Sequence, residues 1–297
     1  MATTTTGLVP NWYPPTGENY DFLLYLWQWF PLMASLQWLI SWYGMGKTSV
    51  SSPLNFPGRI GWLTMECPGF LSLLYMLSTL PQQYNITDLP WQNKVLAALF
   101  VIHYAYRAII FPLIQPSMSP LHLFVWLSGL GFQLFNGTLL GSWLAAYGPT
   151  TQAAWREQLS FGVLQFTCGI ALFYVGLAAN YYHDDELREI RRRQARQQTA
   201  KGREAGGGGG GKSVEKHYEI PQAGLFKIML YPHYFVEWVE WAGFYMACGW
   251  GCVPARMFVI NEVAAMLPRA VKGKQWYMQK FGREKIEKKW AVIPGIW

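Results

Sequence analysis

The chain has 297 residues, of which 52% are hydrophobic, 17% aromatic and only 14% charged, whereas about a quarter of a soluble domain is charged. That composition excludes an ordinary soluble globular domain and points to an integral membrane protein. The mean hydropathy of +0.08 is modest because polar, Gly-rich and basic loops dilute several strongly apolar stretches.

Residues 1–20 lack the basic start and apolar core of a signal peptide, so the first span is expected to do the targeting. Stretches of about 20 residues, enough to cross a bilayer, then follow at 21–43, 61–80, 94–115, 120–147, 157–182, 225–250 and 253–270. They predict an all-α bundle of seven transmembrane helices, with the termini on opposite sides. The excess of Lys and Arg orients it. Lys47, Arg59, the run from Arg188 to Lys216 and the tail from Lys272 to Lys289 fall on one side, against little beyond Lys94, Arg156 and Arg256 on the other. The N terminus is therefore expected in the lumen and the C terminus in the cytosol. The formal charge of +7 is assigned to loops facing anionic lipid or an anionic ligand, and no nucleic-acid partner is expected.

Asn85-Ile86-Thr87 is a glycosylation sequon in a loop assigned to the lumen, and Asn136-Gly137-Thr138 is one inside a span. Cys67, Cys168, Cys248 and Cys252 all lie in apolar segments. Cys248 and Cys252 are read as one helical turn apart, without His or Cys partners at zinc spacing, and so as structural thiols with no metal. The run GGGGGGKS at 206–213 matches a phosphate-loop pattern. No strand precedes it and there is no room for a nucleotide-binding domain, so 194–216 reads as a flexible cytosolic loop expected to be disordered. This divides the chain into an N-terminal segment 1–20, spans one to five over 21–193, the loop 194–216 and a C-terminal region 217–297.

Ionisable residues inside a membrane are costly and mark functional candidates. Glu66 in LTMECPGF lies in the second span, before a proline able to open the helix. An apolar setting favours a neutral carboxyl that donates a hydrogen bond to a ligand oxygen, and an end-of-span acid reaching headgroups or a buried cation is the other reading. In VIHYAYRAII, His103 and Arg107 share a helix face, with Tyr104 and Tyr106 beside it. They suit a structural network, a donor pair at a reacting carbonyl, or both. YPHYFVEWVEW puts His233, Glu237 and Glu240 on one face. Asn180, Asp184, Arg188 and Arg191 recur at spacings of four, four and three. They either end a span in the ordinary way or turn inward as an amide-to-phosphate gradient that suits a nicotinamide dinucleotide.

Together LTMECPGF, VIHYAYR, ANYYHDDELREIR, YEIPQAGLF, PHYFVEWVEW and WYMQKFGREKIEKKWAVIPGIW resemble, in order and spacing, the steroid 5α-reductase family. IPQAGLF and the Glu-bearing segment after it are shared with polyprenol and enoyl-CoA reductases. The resemblance implies a seven-helix, multi-pass enzyme of the endoplasmic reticulum membrane that uses NADPH to reduce a carbon–carbon double bond conjugated to a ketone in a steroid or other hydrophobic enone lipid. It implies that Glu66 and Tyr104 hydrogen-bond the substrate carbonyl. Asn180, Asp184, Arg188, Arg191, Tyr218, His233, Glu237 and Tyr277 match the cofactor-binding positions. The chain departs from the pattern at Glu219, often basic in the family, at His233, where several members have Asn, and at KGKQW before Tyr277, a His-rich segment elsewhere. Its lysines remain candidates for the cofactor's 2′-phosphate. The rivals are reduction of a polyprenyl or acyl-CoA enoyl lipid and, in another class, a non-catalytic lipid-binding or transport protein.

Overall fold

The computed structural model describes residues 7–40, 44–46, 49, 51–204 and 218–296. Helix α1, Gly17–Gln28, starts where the Thr16 hydroxyl accepts the Asn19 amide. It stops at Trp29, before α2, Phe30–Ser35, which runs into a 3₁₀ turn at Leu36–Trp38. The stretch expected as one span over 21–43 is thus broken within the described residues, because Pro31 has no amide for the helical ladder.

After the paired dipeptides Asn55–Phe56 and Leu121–His122, the long elements are α3, Gly58–Gln83, and α4, Trp91–Tyr104. A π-helical stretch, Ala105–Ile110, and α5, Phe111–Ile114, extend α4. Helix α6, Leu123–Ser142, ends in a second π-helical stretch, Trp143–Tyr147. Short α7, Gln152–Gln158, leads into α8, Gly162–Glu204. A 3₁₀ turn at Gly224–Lys227 precedes α9, Pro232–Cys248, α10, Val253–Phe281, and α11, Arg283–Ile286. Among the described residues, four helical stretches are long and apolar enough to cross a membrane: 58–83, 91–114, 123–147 and 162–197. This agrees with an all-α multi-pass membrane protein. Helix α9 has only 17 residues, and α10, though 29 residues long, carries Arg256, Glu262, Arg269 and Lys272.

Three local expectations are corrected. Helix α3 runs unbroken through Pro68, so that proline does not open it. Helix α8 continues to Glu204, past the loop boundary expected at 194, because the segment is rich in strong helix formers and the Arg192–Glu189 pair, at 2.8 Å, braces its surface. The Gly run at 206–213 lies outside the described residues. Cys248 ends α9 while Cys252 caps α10, so the two are not on one helix; all four thiols are free.

Two helix pairs set the frame, α3 with α6 and α8 with α9. A Cβ at Gly137 on α6 would overlap the Gly69 carbonyl of α3, and one at Gly176 on α8 would lie 2.5 Å from the Glu240 amide of α9. Small residues let apolar helices approach this closely. The second contact presses the acidic face of α9 onto the polar face of α8. Phe100, Tyr104, Trp241, Phe244 and Phe258 fill the space between them and α4 and α10.

Candidate active site

The predicted polar residues converge at one level of the bundle, around Arg107. This side chain leaves α4 within the π-helical stretch, whose wider turn shifts it from an ideal i, i+4 relation to His103. Its guanidinium lies 3.4 Å from Asp184 on α8 and 3.8 Å from Glu237 on α9. Trp62 and Phe111 stack on it, with ring centroids 5.1 and 5.0 Å away. His103 pairs through Nδ1 with Glu240 at 2.7 Å, and its Nε2 lies 3.9 Å from Glu237. His103 thus serves the network reading.

Glu66 of α3 is 9% exposed. It accepts a hydrogen bond at Oε2 from Gln133 Nε2 of α6. Tyr104, also buried, interacts electrostatically with Glu66, Glu262 and Glu237. Glu66 in turn interacts with Arg107 and Glu237. The expected pair is therefore buried within electrostatic reach of the Arg107 network.

The α8 face turns inward over most of its length. Asn180 Nδ2 donates to the His233 carbonyl at 3.0 Å and to Glu237 at 3.3 Å. Asn180, Asp184 and Arg188 are buried, Arg188 to 1% exposure. Arg188 donates to Tyr106 at 3.2 Å and to Asp185. Arg191 emerges at the surface and bonds Gln115 at 3.0 Å. It interacts with Tyr218 and Tyr277, whose rings flank Trp276 at 4.8 and 5.2 Å. Burial raises the Tyr218 phenol above its ordinary range, with Arg191 opposing, so the group is a neutral donor at physiological pH. The ring of His233 packs against Phe226, Tyr231 and Tyr234.

Of the two lysines in KGKQW, Lys272 donates to the carbonyls of Gln37, at 2.9 Å, and Ile40. That leaves Lys274, which borders an open cavity of about 670 Å³ with Gln275, Met278, Gln279, Arg283 and Glu287.

Four residues of this region escaped the sequence reading. Gln133 holds Glu66. Glu262 of α10, also buried, was detectable by the same rule that singled out Glu66. His183 accepts the Leu225 amide at Nε2, at 3.1 Å, and donates from Nδ1 to the Ala179 carbonyl at 2.6 Å, tying the IPQAGLF loop to α8. Lys289 is buried against that loop from the tail, donating to the carbonyls of Phe226 and Lys227 and to Gln222. Nothing in its basic neighbourhood distinguishes Lys289 from the surface lysines around it.

Several buried atoms here have no hydrogen-bond partner: Gln133 Oε1, Glu240 Oε2, Glu262 Oε2 and Arg188 Nε. Buried polar groups are normally paired, and these atoms keep hydrogen-bonding capacity that the protein's own groups do not use.

Residues 119–203 and 211–297 match the family described as 3-oxo-5-alpha-steroid 4-dehydrogenase. An uncharacterised protein of Schizosaccharomyces pombe is 34% identical over 80% of this chain and 83% of its own. The 3-oxo-5-alpha-steroid 4-dehydrogenase 1 of Mus musculus is 30% identical over 88% of this chain and 91% of its own. Steroid 5-alpha-reductase DET2 of Solanum lycopersicum is 28% identical over 90% and 92%. The chain belongs to the steroid 5α-reductase family.

Proposed function

We propose that this member of the family is an NADPH-dependent reductase of the double bond in a 3-oxo-Δ4 steroid, working in the endoplasmic reticulum membrane. The proposal includes seven spans with a lumenal N terminus, α1–α2, α9 and α10 completing the four long apolar helices. The observation that carries it is the single buried network in which the expected carbonyl pair, Glu66 and Tyr104, meets the expected cofactor face through Arg107, Asp184 and Glu237.

The residues present fit a nicotinamide dinucleotide. Arg188 is almost wholly buried yet keeps an unpartnered Nε, and guanidinium donors match phosphate oxygens in number and geometry. Asn180, Asp184, His233 and Glu237 would hold the amide-bearing end, and Arg188, Arg191, Tyr218 and Tyr277 the phosphate-bearing end. NADPH, when bound, supplies the hydride.

Negative charge then builds on the substrate's ketone oxygen, and a neutral donor fixed beside that oxygen stabilises it. Glu66 takes this role. Gln133 binds one of its oxygens, so the other is available to carry the proton, and Tyr104 adds a second donor. The aromatic packing of Phe100, Trp241 and Phe258 beside Tyr104 makes an apolar surrounding, and such a setting strengthens a donor's hydrogen bonds.

The test is anaerobic turnover of detergent-solubilised protein with NADPH and a Δ4-3-ketosteroid, followed by product and NADPH loss. Wild type should form the 5α-reduced product, and Glu66→Gln should lower kcat at least ~100-fold, as expected for loss of a preorganised donor. NADPH binding with the steroid untouched would move the substrate to polyprenyl or acyl lipids. Folded protein that neither turns over nor binds NADPH would refute the reductase reading.

A further inference from the structure

Glu262 is a buried acid near the carbonyl pair that the reaction above does not use and that, unlike Glu240, makes no ion pair among the described residues. It stands on α10, is 8% exposed, and its Oε2 has no hydrogen-bond partner. It interacts electrostatically with Glu66, Arg107, Glu237 and Glu240 and with Tyr104. Phe258, one turn before it on the same face of α10, packs on Phe132 of α6, the residue before Gln133. This places Glu262 where α10 meets the helix whose Gln133 binds Glu66. Gln133 supplies an independent sign. Its Nε2 is spent on Glu66, while its Oε1, in a residue only 6% exposed, is also unpartnered. Buried, unmatched oxygens therefore stand on both α6 and α10. An oxygen left unpaired in a buried site carries its full desolvation cost, and an apolar steroid face cannot recover that.

A hydroxyl can. It offers one donor and accepts in return, so it can bridge a protonated Glu262 and Gln133 Oε1, or donate directly to an ionised Glu262. The face of α10 that Glu262 shares with Phe258 is aromatic: Phe258, one turn before Glu262, packs on Trp241 at 4.4 Å and Phe132 at 5.9 Å, while the adjacent Asn261 donates to the Trp27 carbonyl. A lone acid in that wall serves to distinguish occupants, because a site built around a hydrogen bond rejects the analogue that lacks the group far more strongly than an apolar pocket rejects a change of size.

We infer that Glu262 is a specificity-determining residue that binds a hydroxyl of the substrate, so that the preferred substrate is a hydroxylated enone lipid and not its deoxy parent. The inference rests on the reductase reading for the position of the carbonyl, and its test separates the two. Purified full-length protein is assayed with NADPH and progesterone against a panel of its monohydroxylated analogues, for turnover and, by quenching of Trp fluorescence, for binding without cofactor. The readout is the ratio of hydroxylated analogue to parent, in kcat/KM and in Kd.

Wild type should favour at least one hydroxylated analogue by ~10-fold or more. Glu262→Leu should bring that ratio close to one, and Glu262→Gln, which keeps a hydrogen-bonding group of the same size, should hold an intermediate value. The Gln variant also carries the test if the Leu variant does not fold. A wild-type ratio near one throughout, a ratio unmoved by either variant, or an equal loss on parent and analogue would overturn the inference. Glu262-dependent preference in binding, with neither turnover of any steroid nor binding of NADPH, would refute the reductase reading and leave the hydroxyl site standing.

Discussion

The polar cluster around Asn93 and the one around Arg107 are both buried between helices, and they are built to opposite rules. Asn93, at the start of α4, donates to the carbonyls of Leu144 and Pro149 at 2.8 and 2.9 Å and accepts the Trp155 indole N–H at 2.7 Å. Beside it Gln92 and Gln152 exchange amide hydrogen bonds at 3.1 Å. This cluster closes on itself and joins α4, α7 and the end of α6. The Arg107 cluster has charges where the other has amides, and it leaves Gln133 Oε1, Glu240 Oε2, Glu262 Oε2 and Arg188 Nε open. The first knot has its capacity used up in fastening helices; the second retains capacity for a further partner.

Removing the centre of the open cluster tests the contrast most strongly. Arg107→Met leaves Asp184 and Glu237 without their shared cation, and losing one partner of a buried ion pair costs about 3–5 kcal/mol. Thermal unfolding in detergent should show the largest loss of stability of any variant considered, with NADPH binding abolished in whatever fraction stays folded. An unfolding temperature close to wild type would mean that the carboxyls are neutral and the cluster is not ionic. Asn93→Leu, in the closed cluster, orphans the Trp155 indole and two carbonyls, at about 2–3 kcal/mol in total. Here the expected result is lower stability with kcat of the surviving enzyme unchanged. A fall in kcat with stability intact would erase the distinction between the clusters.

How far each cluster is legible in the sequence follows from the same difference. Glu66, His103, Arg107, Asp184 and Glu237 stand out because charge inside an apolar stretch is conspicuous, and their helical spacings place them on inward faces. Asn93, Trp155 and Gln133 are ordinary residues at ordinary positions, and only the packing of α6 against α3 and α4 turns them to account. The long apolar helices 58–83, 91–114, 123–147 and 162–197 were readable from hydropathy. The breaks at Pro31 and before Pro232 were not anticipated. The second arises because 228–231 pair with the tail, Leu230 donating to Trp290 at 3.0 Å and Tyr231 to Ala291 at 2.9 Å. Such pairing joins residues about 60 positions apart, and no local pattern records it.

Lys289 sharpens the comparison from a third side, because it is a charged group in a closed setting. Its ammonium meets the carbonyls of Phe226 and Lys227 and the Gln222 side chain, and Phe226 in turn packs on His183 and His233. Burial lowers its pKa below the usual lysine range. Between the lowered value and the ordinary one near ~10.4, the unfolded chain binds more protons than the folded one, so stability rises with pH across that window. Below it the burial penalty is fully present, and above it the penalty is gone. Lys289→Met should cost about 1 kcal/mol near neutral pH, through the carbonyls it leaves, and should lose the alkaline rise seen in wild type. If closed polar contacts act by positioning alone, the variant should weaken NADPH binding several-fold with kcat preserved, and Lys289→Arg should restore part of that affinity. A kcat loss that Arg does not rescue would place the tail lysine with the open cluster, and closure would no longer separate fastening from function.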